Sequence, residues 1–124
     1  MVNKTVRLDL RGDARLRLMY GLVVRFQLRP GEGPRFDQLV EQTLDGIRTR
    51  EPGTRLYLCH EVEGEESVRI FYELYEDEAA FRKHEEQPHV RHFLSEREGL
   101  LAEPPRVEFM LSRLGKGWPV SGTG

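Results

Sequence analysis

The sequence predicts one α+β domain whose elements follow in the order β-α-β-β-α-β. Three observations carry this prediction. Segments 19–28, 56–62, 68–75 and 106–114 have the length and residue types of strands. Apolar residues recur at helical spacing between residues 35 and 50 and again between residues 78 and 94. Prolines, glycines or short polar turns separate the segments. This order is the split β-α-β pattern of ferredoxin-like folds.

The first strand and the first helix meet at a turn. Residues 19–28 are rich in β-branched and aromatic side chains and run into the proline- and glycine-rich stretch 29–34. Pro34 suits a first helical turn, and Glu51-Pro52-Gly53 ends the helix. The apolar face predicted for this helix consists of Phe36, Leu39, Val40, Thr43, Leu44 and Ile47.

The second and third strands are predicted to form a hairpin with its turn at residues 64–67. The returning strand, 68–75, has large side chains on both faces: Ile70, Tyr72 and Leu74 on one, and Phe71 and Tyr75 on the other. A strand with one wet face would alternate cleanly between apolar and polar residues. We therefore expect helices to cover one face and a second subunit to cover the other, which makes the protein a homodimer.

Two short helices should follow the hairpin. Asp77 is placed to cap the first of them, which runs through Phe81 and His84. Pro88 cannot continue that helix and is well placed to begin the next one, which leads to Phe93. Pro104-Pro105 ends the helical region before the last strand.

The chain divides into three parts. Residues 1–18 are predicted to form an N-terminal arm or an extra strand, because Val6, Leu8 and Leu10 alternate with polar residues. Residues 19–114 form the domain itself. Residues 115–124 are predicted to be a flexible tail unless Trp118 docks.

Composition narrows the class of protein. A chain of 124 residues fits one domain of the usual ~100–150 residues. The 19 basic and 21 acidic residues are interspersed, which argues against a nucleic-acid partner. A single cysteine excludes an internal disulfide. The sequence contains neither a signal peptide nor an apolar run of the ~18 residues needed to span a bilayer. We expect a cytoplasmic protein without a membrane partner.

Histidines are the most informative polar residues, because an imidazole with a pKa near ~6.5 can exchange protons at neutral pH. His84 lies one helical turn after Phe81, so it should point toward the sheet. His60 alternates with apolar residues and is assigned to a buried strand face, whereas His89 begins a helix and His92 should be solvated. Each buried ring could instead be a hydrogen-bonded core residue.

A metal site is not predicted. His84, His89 and His92 have the spacing H-x4-H-x2-H, but Pro88 breaks the helix between the first two. No set of two histidines and one carboxylate on a common face follows from this pattern.

Glu73 is the other candidate for proton transfer. Its neighbours are Tyr72 and Leu74, and a carboxylate in such surroundings must be paired or have a raised pKa. It could act as a base, or it could pair structurally with Arg25 or Arg69. Aromatic residues available to hold a flat ligand include Tyr75, Phe26, Phe71, Tyr20 and Tyr57, although core packing accounts for most aromatic residues in a small domain.

Motifs for phosphate or dinucleotide binding are missing from the sequence. It has neither G-x-x-x-x-G-K-[ST] nor a G-x-G-x-x-G between a strand and a helix. No serine can be assigned to a nucleophilic triad. We therefore expect no cofactor, so that a redox substrate would supply its own electrons.

Residues 51–93 carry a family resemblance. Glu51-Pro52-Gly53, His60 late in a strand, Glu73-Leu74-Tyr75 closing the next one, and the helix from Asp77 to His84 with Pro88-His89 follow one another in order. This order resembles the antibiotic biosynthesis monooxygenase family of dimeric α+β barrels, over roughly residues 19–112. The resemblance implies a dimer in which two sheets pack face to face and close a barrel.

The resemblance also implies a reaction. Some members of that family are cofactor-independent oxygenases that convert anthrone- or quinol-type aromatics to quinones with molecular oxygen. Carried over to this chain, the catalytic positions are His60, Glu73 and His84, with Tyr75, Phe26 and Phe71 as substrate contacts and His89 at the cavity rim. A haem-degrading branch uses an Asn, a Trp and a His, whereas the corresponding positions here are Val24, His84 and Leu94. That activity is not expected.

Two hypotheses from different classes follow. The first is a cofactor-free monooxygenase that acts on a phenolic, anthrone- or quinol-type aromatic and could serve secondary metabolism. The second is a non-catalytic dimer that binds a small ligand or assists a biosynthetic partner. Oxygen uptake without added cofactor separates them.

Overall fold

Four antiparallel strands form one sheet in the computed structural model, which describes residues 17–117. Residues 1–16 of the predicted arm (1–18) and residues 118–124 of the predicted tail (115–124) lie outside the described residues. The elements are β1 (Tyr20–Gln27), α1 (Gly33–Arg50), β2 (Thr54–Val62), β3 (Glu65–Tyr75), α2 (Glu78–Glu86), α3 (Pro88–Arg97), a 3-10 turn (Glu98–Leu100) and β4 (Arg106–Leu111). The strand order β2-β3-β1-β4 confirms the predicted ferredoxin-like arrangement.

The helices cover one face of the sheet. Side chains from α1, α2 and α3 meet those of β1 and β3 in a single core, which contains Phe26, Phe36, Phe71 and Phe93. The ring centroids of Phe26 and Phe71 are 4.8 Å apart with an edge-on geometry, which is a favourable contact between aromatic rings. The helical spacing in the sequence therefore identified the buried face of α1 correctly.

The opposite face of the sheet has no helix over it in the described part of the chain. Strand register places Val23, Leu58 and Tyr72 side by side on this face. Leu58 is 44% exposed, while Leu74 is buried against Met19. The two-faced apolar pattern of β3 is thus real, and the second subunit expected on this face stays a prediction. The name open face is used below for this side of the sheet.

Turns and caps mostly follow the sequence signals. Asp77 caps α2 as predicted, since its carboxylate accepts a hydrogen bond of 2.8 Å from the backbone N–H of Ala80. The β2–β3 hairpin is tighter than expected, because β3 already begins at Glu65 and the turn consists of Glu63 and Gly64. Gly64 has a φ of +83°, which glycine adopts without steric penalty.

The helices within residues 17–117 lack the features of a membrane span. None of them combines enough length with enough apolar residues to cross a bilayer.

Candidate functional site

A cavity of about 130 Å³ lies between the sheet and the helices. Its wall is mostly apolar and includes Phe26, Phe71 and Phe93. Five polar side chains interrupt this wall: Tyr57, Glu73, His84, Glu85 and Arg97. An apolar pocket with a few convergent polar groups is the usual form of a small-molecule site.

The edge strand β4 forms one side of the cavity. Val107 and Phe109 contribute to the lining and are 41% and 57% exposed, respectively. Phe109 packs against Tyr20 and Phe81, with ring centroids 5.9 Å away from each. Because these exposed apolar side chains connect the interior to the surface, a ligand would enter between β4 and the helices.

Glu51 holds two histidine side chains at the same time. Its Oε1 is 2.7 Å from Nδ1 of His84, and its Oε2 is 2.5 Å from Nε2 of His89. The hydroxyl of Thr54 donates a third hydrogen bond, of 2.7 Å, to Oε1. The Glu51 and His84 side chains are only 3% and 5% exposed, so water competes little for these contacts. This group of four residues is called the Glu51 clamp below.

The clamp keeps the Glu51 carboxylate ionised. Burial by itself raises the pKa of this carboxyl, but hydrogen bonds from His84 and Thr54, the charge of His84 and the bond from His89 outweigh it, so that the pKa is lowered. An ionised carboxylate can only accept hydrogen bonds. Nδ1 of His84 must therefore carry the proton in this contact, and Nε2 is the ring nitrogen left for a ligand.

Local structure explains how the clamp assembles. Glu51 follows the last residue of α1, where the chain turns at Pro52-Gly53 toward β2. His84 lies on the buried side of α2, and its ring packs between Tyr57 and Tyr75 at centroid distances of 5.5 and 5.1 Å.

The ring of His89 fits against a glycine of α1. A Cβ atom built at Gly46 would lie 2.4 Å from Cγ and Nδ1 of His89. Any side chain at position 46 would thus displace the imidazole that reaches Glu51. Gly46 is therefore part of the support of the clamp.

A second, larger depression lies on the other side of the clamp. It measures about 280 Å³, and charged residues such as Arg50, Asp77 and Lys83 surround it. Glu51 and His84 line this depression as well, and His84 is common to both spaces. The His84 ring thus separates the apolar cavity from a larger depression with a more polar lining.

Glu73 lies on the cavity side of β3 with a different set of partners. The hydroxyl of Tyr75 donates a hydrogen bond of 2.6 Å to its Oε1. Burial raises the pKa of Glu73, and the hydrogen bond from Tyr75 and the charge of His84 offset this only in part. Glu73 does not pair with the arginines named in the sequence analysis, because Arg25 contacts Glu65 and Arg69 contacts Asp37.

The structure brings some predicted site residues together and separates others. Glu73, His84, Phe26 and Phe71 all line the cavity. His60 does not, and its assignment to a buried strand face was wrong. Its side chain is exposed on the open face, because β2 pairs with β3 in a register that sets His60 opposite Ile70.

Two further predicted site residues, Tyr75 and His89, lie outside the cavity lining and contact residues that do belong to the site. Tyr75 is fully buried and has no free ring face for a ligand, so its contact with Glu73 replaces the predicted stacking role. His89 contacts Glu51 rather than the cavity. His92 is exposed, as expected. No group of three or more metal-ligating side chains is arranged to hold an ion within residues 17–117.

Two residues of the site escaped the sequence analysis. Glu51 was interpreted as the end of a helix and as part of the Glu51-Pro52-Gly53 turn of the family resemblance, with no role in the site, and Arg97 was not singled out at all. Glu51 is 33 residues away from His84 and 38 away from His89 along the chain, so no local pattern indicates the contact. The only available signal was a glutamate directly before a Pro-Gly turn.

Solved structures with the same fold come from several organisms. A conserved protein from Methanosarcina mazei Go1 is 15% identical over 81% of this chain and 98% of its own, with a TM-score of 0.75. A candidate antibiotic biosynthesis monooxygenase from Caulobacter crescentus CB15 is 20% identical over 82% and 95% of the two chains, also with a TM-score of 0.75. A further candidate from Nitrosomonas europaea is 19% identical over 81% and 95%, with a TM-score of 0.73.

These likenesses concern the fold, since all three identities are low. No curated protein matches the sequence significantly. The sequence signature of the antibiotic biosynthesis monooxygenase family, however, matches residues 19–96, which is more than half of the chain. The chain therefore belongs to the antibiotic biosynthesis monooxygenase family.

Proposed function

We propose that the protein is a cofactor-independent monooxygenase that oxidises a small electron-rich phenol in the cavity between the sheet and the helices. One observation carries this proposal. Glu51 holds Nδ1 of His84, which leaves Nε2 of a cavity-lining imidazole to accept a proton. A carboxylate that fixes the tautomer and orientation of a histidine base is a recurrent catalytic arrangement.

The reaction begins with proton transfer. Nε2 of His84 takes the phenolic proton, and the resulting phenolate donates one electron to molecular oxygen. The aryloxyl radical and superoxide then combine at the carbon para to the oxygen, and the peroxide receives the proton back. Loss of water leaves a quinone, so that a phenol with a para C–H consumes one O₂ and releases one H₂O. For an anthrone the same steps convert the CH₂ group to C=O.

Cavity size limits the substrate. An apolar cavity of ~150 Å³ is known to bind benzene, whereas sites for drug-sized ligands measure ~300–1,000 Å³. A cavity of about 130 Å³ thus favours a single phenolic ring. A larger substrate such as an anthrone would extend out past Val107 and Phe109.

Oxygen consumption tests the proposal. The wild-type protein should consume oxygen with an anthrone or with a phenol that has a C–H para to its hydroxyl when no cofactor is added, and His84→Gln should lower the rate by roughly 10²–10⁴-fold, the usual contribution of a general base. Glutamine keeps much of the size of the ring, so the variant should remain folded. His92→Gln, on the exposed side of α3, is the matched control and should keep the wild-type rate. Full turnover by His84→Gln would rule out this base.

A non-catalytic ligand-binding protein is the second candidate, favoured by the mostly apolar wall of the cavity. It predicts that a phenol raises the melting temperature without any oxygen uptake. Oxygen uptake and the melting temperature, measured on the same samples, therefore distinguish the two functions.

We further propose that a second copy of the chain covers the open face. Leu58 and Tyr72 are only partly covered there, and contiguous exposed apolar patches usually mark an interface. Light scattering should give twice the mass of one chain. Leu58→Glu should shift the mass toward the monomer, whereas a monomeric wild-type protein would contradict the dimer.

A further inference from the structure

Arg97 ends α3 with its guanidinium at the cavity. Its Cζ lies 5.4 Å from the centroid of the Phe26 ring and 5.8 Å from that of Phe93. Both rings belong to the cavity wall. The cation thus lies against the aromatic surfaces that would also hold the ring of a ligand.

The charge of Arg97 is incompletely satisfied. The side chain is half-buried, its Nε is buried without a hydrogen-bond partner, and no carboxylate of residues 17–117 lies within ion-pair distance of the guanidinium. The aromatic faces of Phe26 and Phe93 offset part of the lost hydration. Buried charges in proteins are otherwise paired, because removing them from water is unfavourable.

Nearby acidic groups do not supply the missing partner. Glu73 and Glu85 line the same cavity, but Glu73 accepts its hydrogen bond from Tyr75, and the exposed Glu85 forms no ion pair with Arg97. Burial also raises the pKa of Glu73, which favours its neutral form. Glu98 attracts Arg97 through space, but its side chain is exposed on the protein surface. The anion that completes this site would therefore come with the ligand.

We infer that Arg97 binds a carboxylate of the substrate, so that the substrate class is a small phenolic acid. This inference rests on the proposed function, in which His84 receives the phenolic proton, and it names the other polar end of the same molecule. A guanidinium presents parallel N–H donors that match the two oxygens of a carboxylate. The aromatic ring between the two ends would pack against Phe26 and Phe71.

A carboxylate fits better than a phenolate. Arg97 needs an anion as soon as the ligand binds. A phenol, with a pKa near ~10 as in tyrosine, is neutral at pH 7, whereas a carboxylic acid with a pKa near ~4 is ionised. In the proposed reaction, moreover, the phenolate forms only after His84 has taken the proton.

Binding measurements without oxygen test this inference separately from turnover. 3-Hydroxybenzoate, which keeps a C–H para to its hydroxyl, and its neutral counterpart 3-hydroxybenzamide are titrated anaerobically into the wild-type protein and followed by calorimetry. The acid should bind at least about tenfold more tightly than the amide, a difference of ~1.4 kcal/mol. Arg97→Met keeps a long side chain on Phe26 and Phe93 and should abolish this preference, while Arg97→Lys should keep part of it.

The control variant is Arg91→Gln, which removes one positive charge from the exposed side of the same helix. It should retain the full preference for the acid. Equal binding of acid and amide, failure of both to bind, or an unchanged preference in Arg97→Met would overturn the inference. If the preference depends on Arg97 but no oxygen is consumed, the proposed oxygenation fails and the acid site stands. If phenols support oxygen uptake but the acid is not preferred, the oxygenation stands and the acid site fails.

Discussion

Glu51 and Glu73 are both buried glutamates, yet their surroundings shift their pKa values in opposite directions. Burial raises the pKa of each carboxyl. Glu51 receives hydrogen bonds from two imidazoles and a hydroxyl, and the sum lowers its pKa. Glu73 receives one from the Tyr75 hydroxyl, and its pKa stays raised. The number and charge of the donors, rather than depth in the protein, decide in which direction the pKa of each carboxyl shifts.

This difference assigns separate roles to the two residues. Titratable groups whose environments separate their pKa values are the usual basis of acid–base division in an active site. The carboxylate of Glu51, with its lowered pKa, orients His84, while the raised pKa of Glu73 makes it the better proton donor of the two carboxyls at the cavity wall. In the proposed reaction His84, held by Glu51, removes the proton from the phenol and returns it to the peroxide.

Removing the anion of the clamp should have the largest effect on stability. Glu51→Ala leaves His84, His89 and Thr54 without their shared acceptor. Breaking a buried charge pair in this way costs about 3–5 kcal/mol in the free energy of unfolding. Urea denaturation measures the loss. Glu41→Ala, at an exposed position of α1, is the control and should stay within about 0.5 kcal/mol of wild type. A loss as small as that of the control would show that the clamp adds little.

A side chain at position 46, which would crowd the Glu51 clamp, should lower the stability of the protein by an intermediate amount. Gly46→Ala would normally stabilise a helix by roughly 0.5–1 kcal/mol, but here the new Cβ displaces the His89 ring from Glu51. We expect a net loss of about 1–3 kcal/mol, as for other overpacked sites. The control is Gly99→Ala, where a Cβ meets no atom within 4 Å. Thermal melts of both variants suffice, and a more stable Gly46→Ala protein would contradict the geometry of the clamp.

The third difference between the two glutamates concerns how the free energy of unfolding depends on pH. At neutral pH it should change stability least of the three. Glu51 has a lowered pKa, so its contribution to stability is present above the ordinary value of 4.5 and is lost as the pH falls through its folded pKa. Glu73 has a raised pKa, so its contribution is lost as the pH rises from 4.5 through its folded pKa. Denaturation curves that extend from well below pH 4.5 to neutral pH should therefore change in opposite ways in charge-removing variants of the two residues.

Glu73→Gln should remove the loss of stability toward high pH, and Glu51→Gln should remove the loss toward low pH. Glutamine keeps the shape of each side chain, which isolates the charge. Parallel changes in the two variants would mean that both carboxyls have the same ionisation in the folded protein.

Local patterns in the sequence were sufficient for the scaffold. The helical spacing of Phe36, Leu39 and Val40 marked the buried face of α1, and Asp77 marked the start of α2. Each of these signals comes from residues within a few turns of one another, and backbone geometry converts them directly into helix or strand. The buried placement of His84 followed in the same way, from its position one turn after Phe81.

Only the tertiary structure decided which polar groups meet. The sequence indicated that His60 shares a strand face with Leu56 and Leu58, but the pairing of β2 with β3 determined that this face lies away from the helices. The contact of Glu51 with His84 and the position of Arg97 beside Phe26 join residues that are far apart along the chain. The local periodicity of the sequence determines on which side of its helix or strand a residue lies. The packing of elements that are distant along the chain determines which other residues it contacts there.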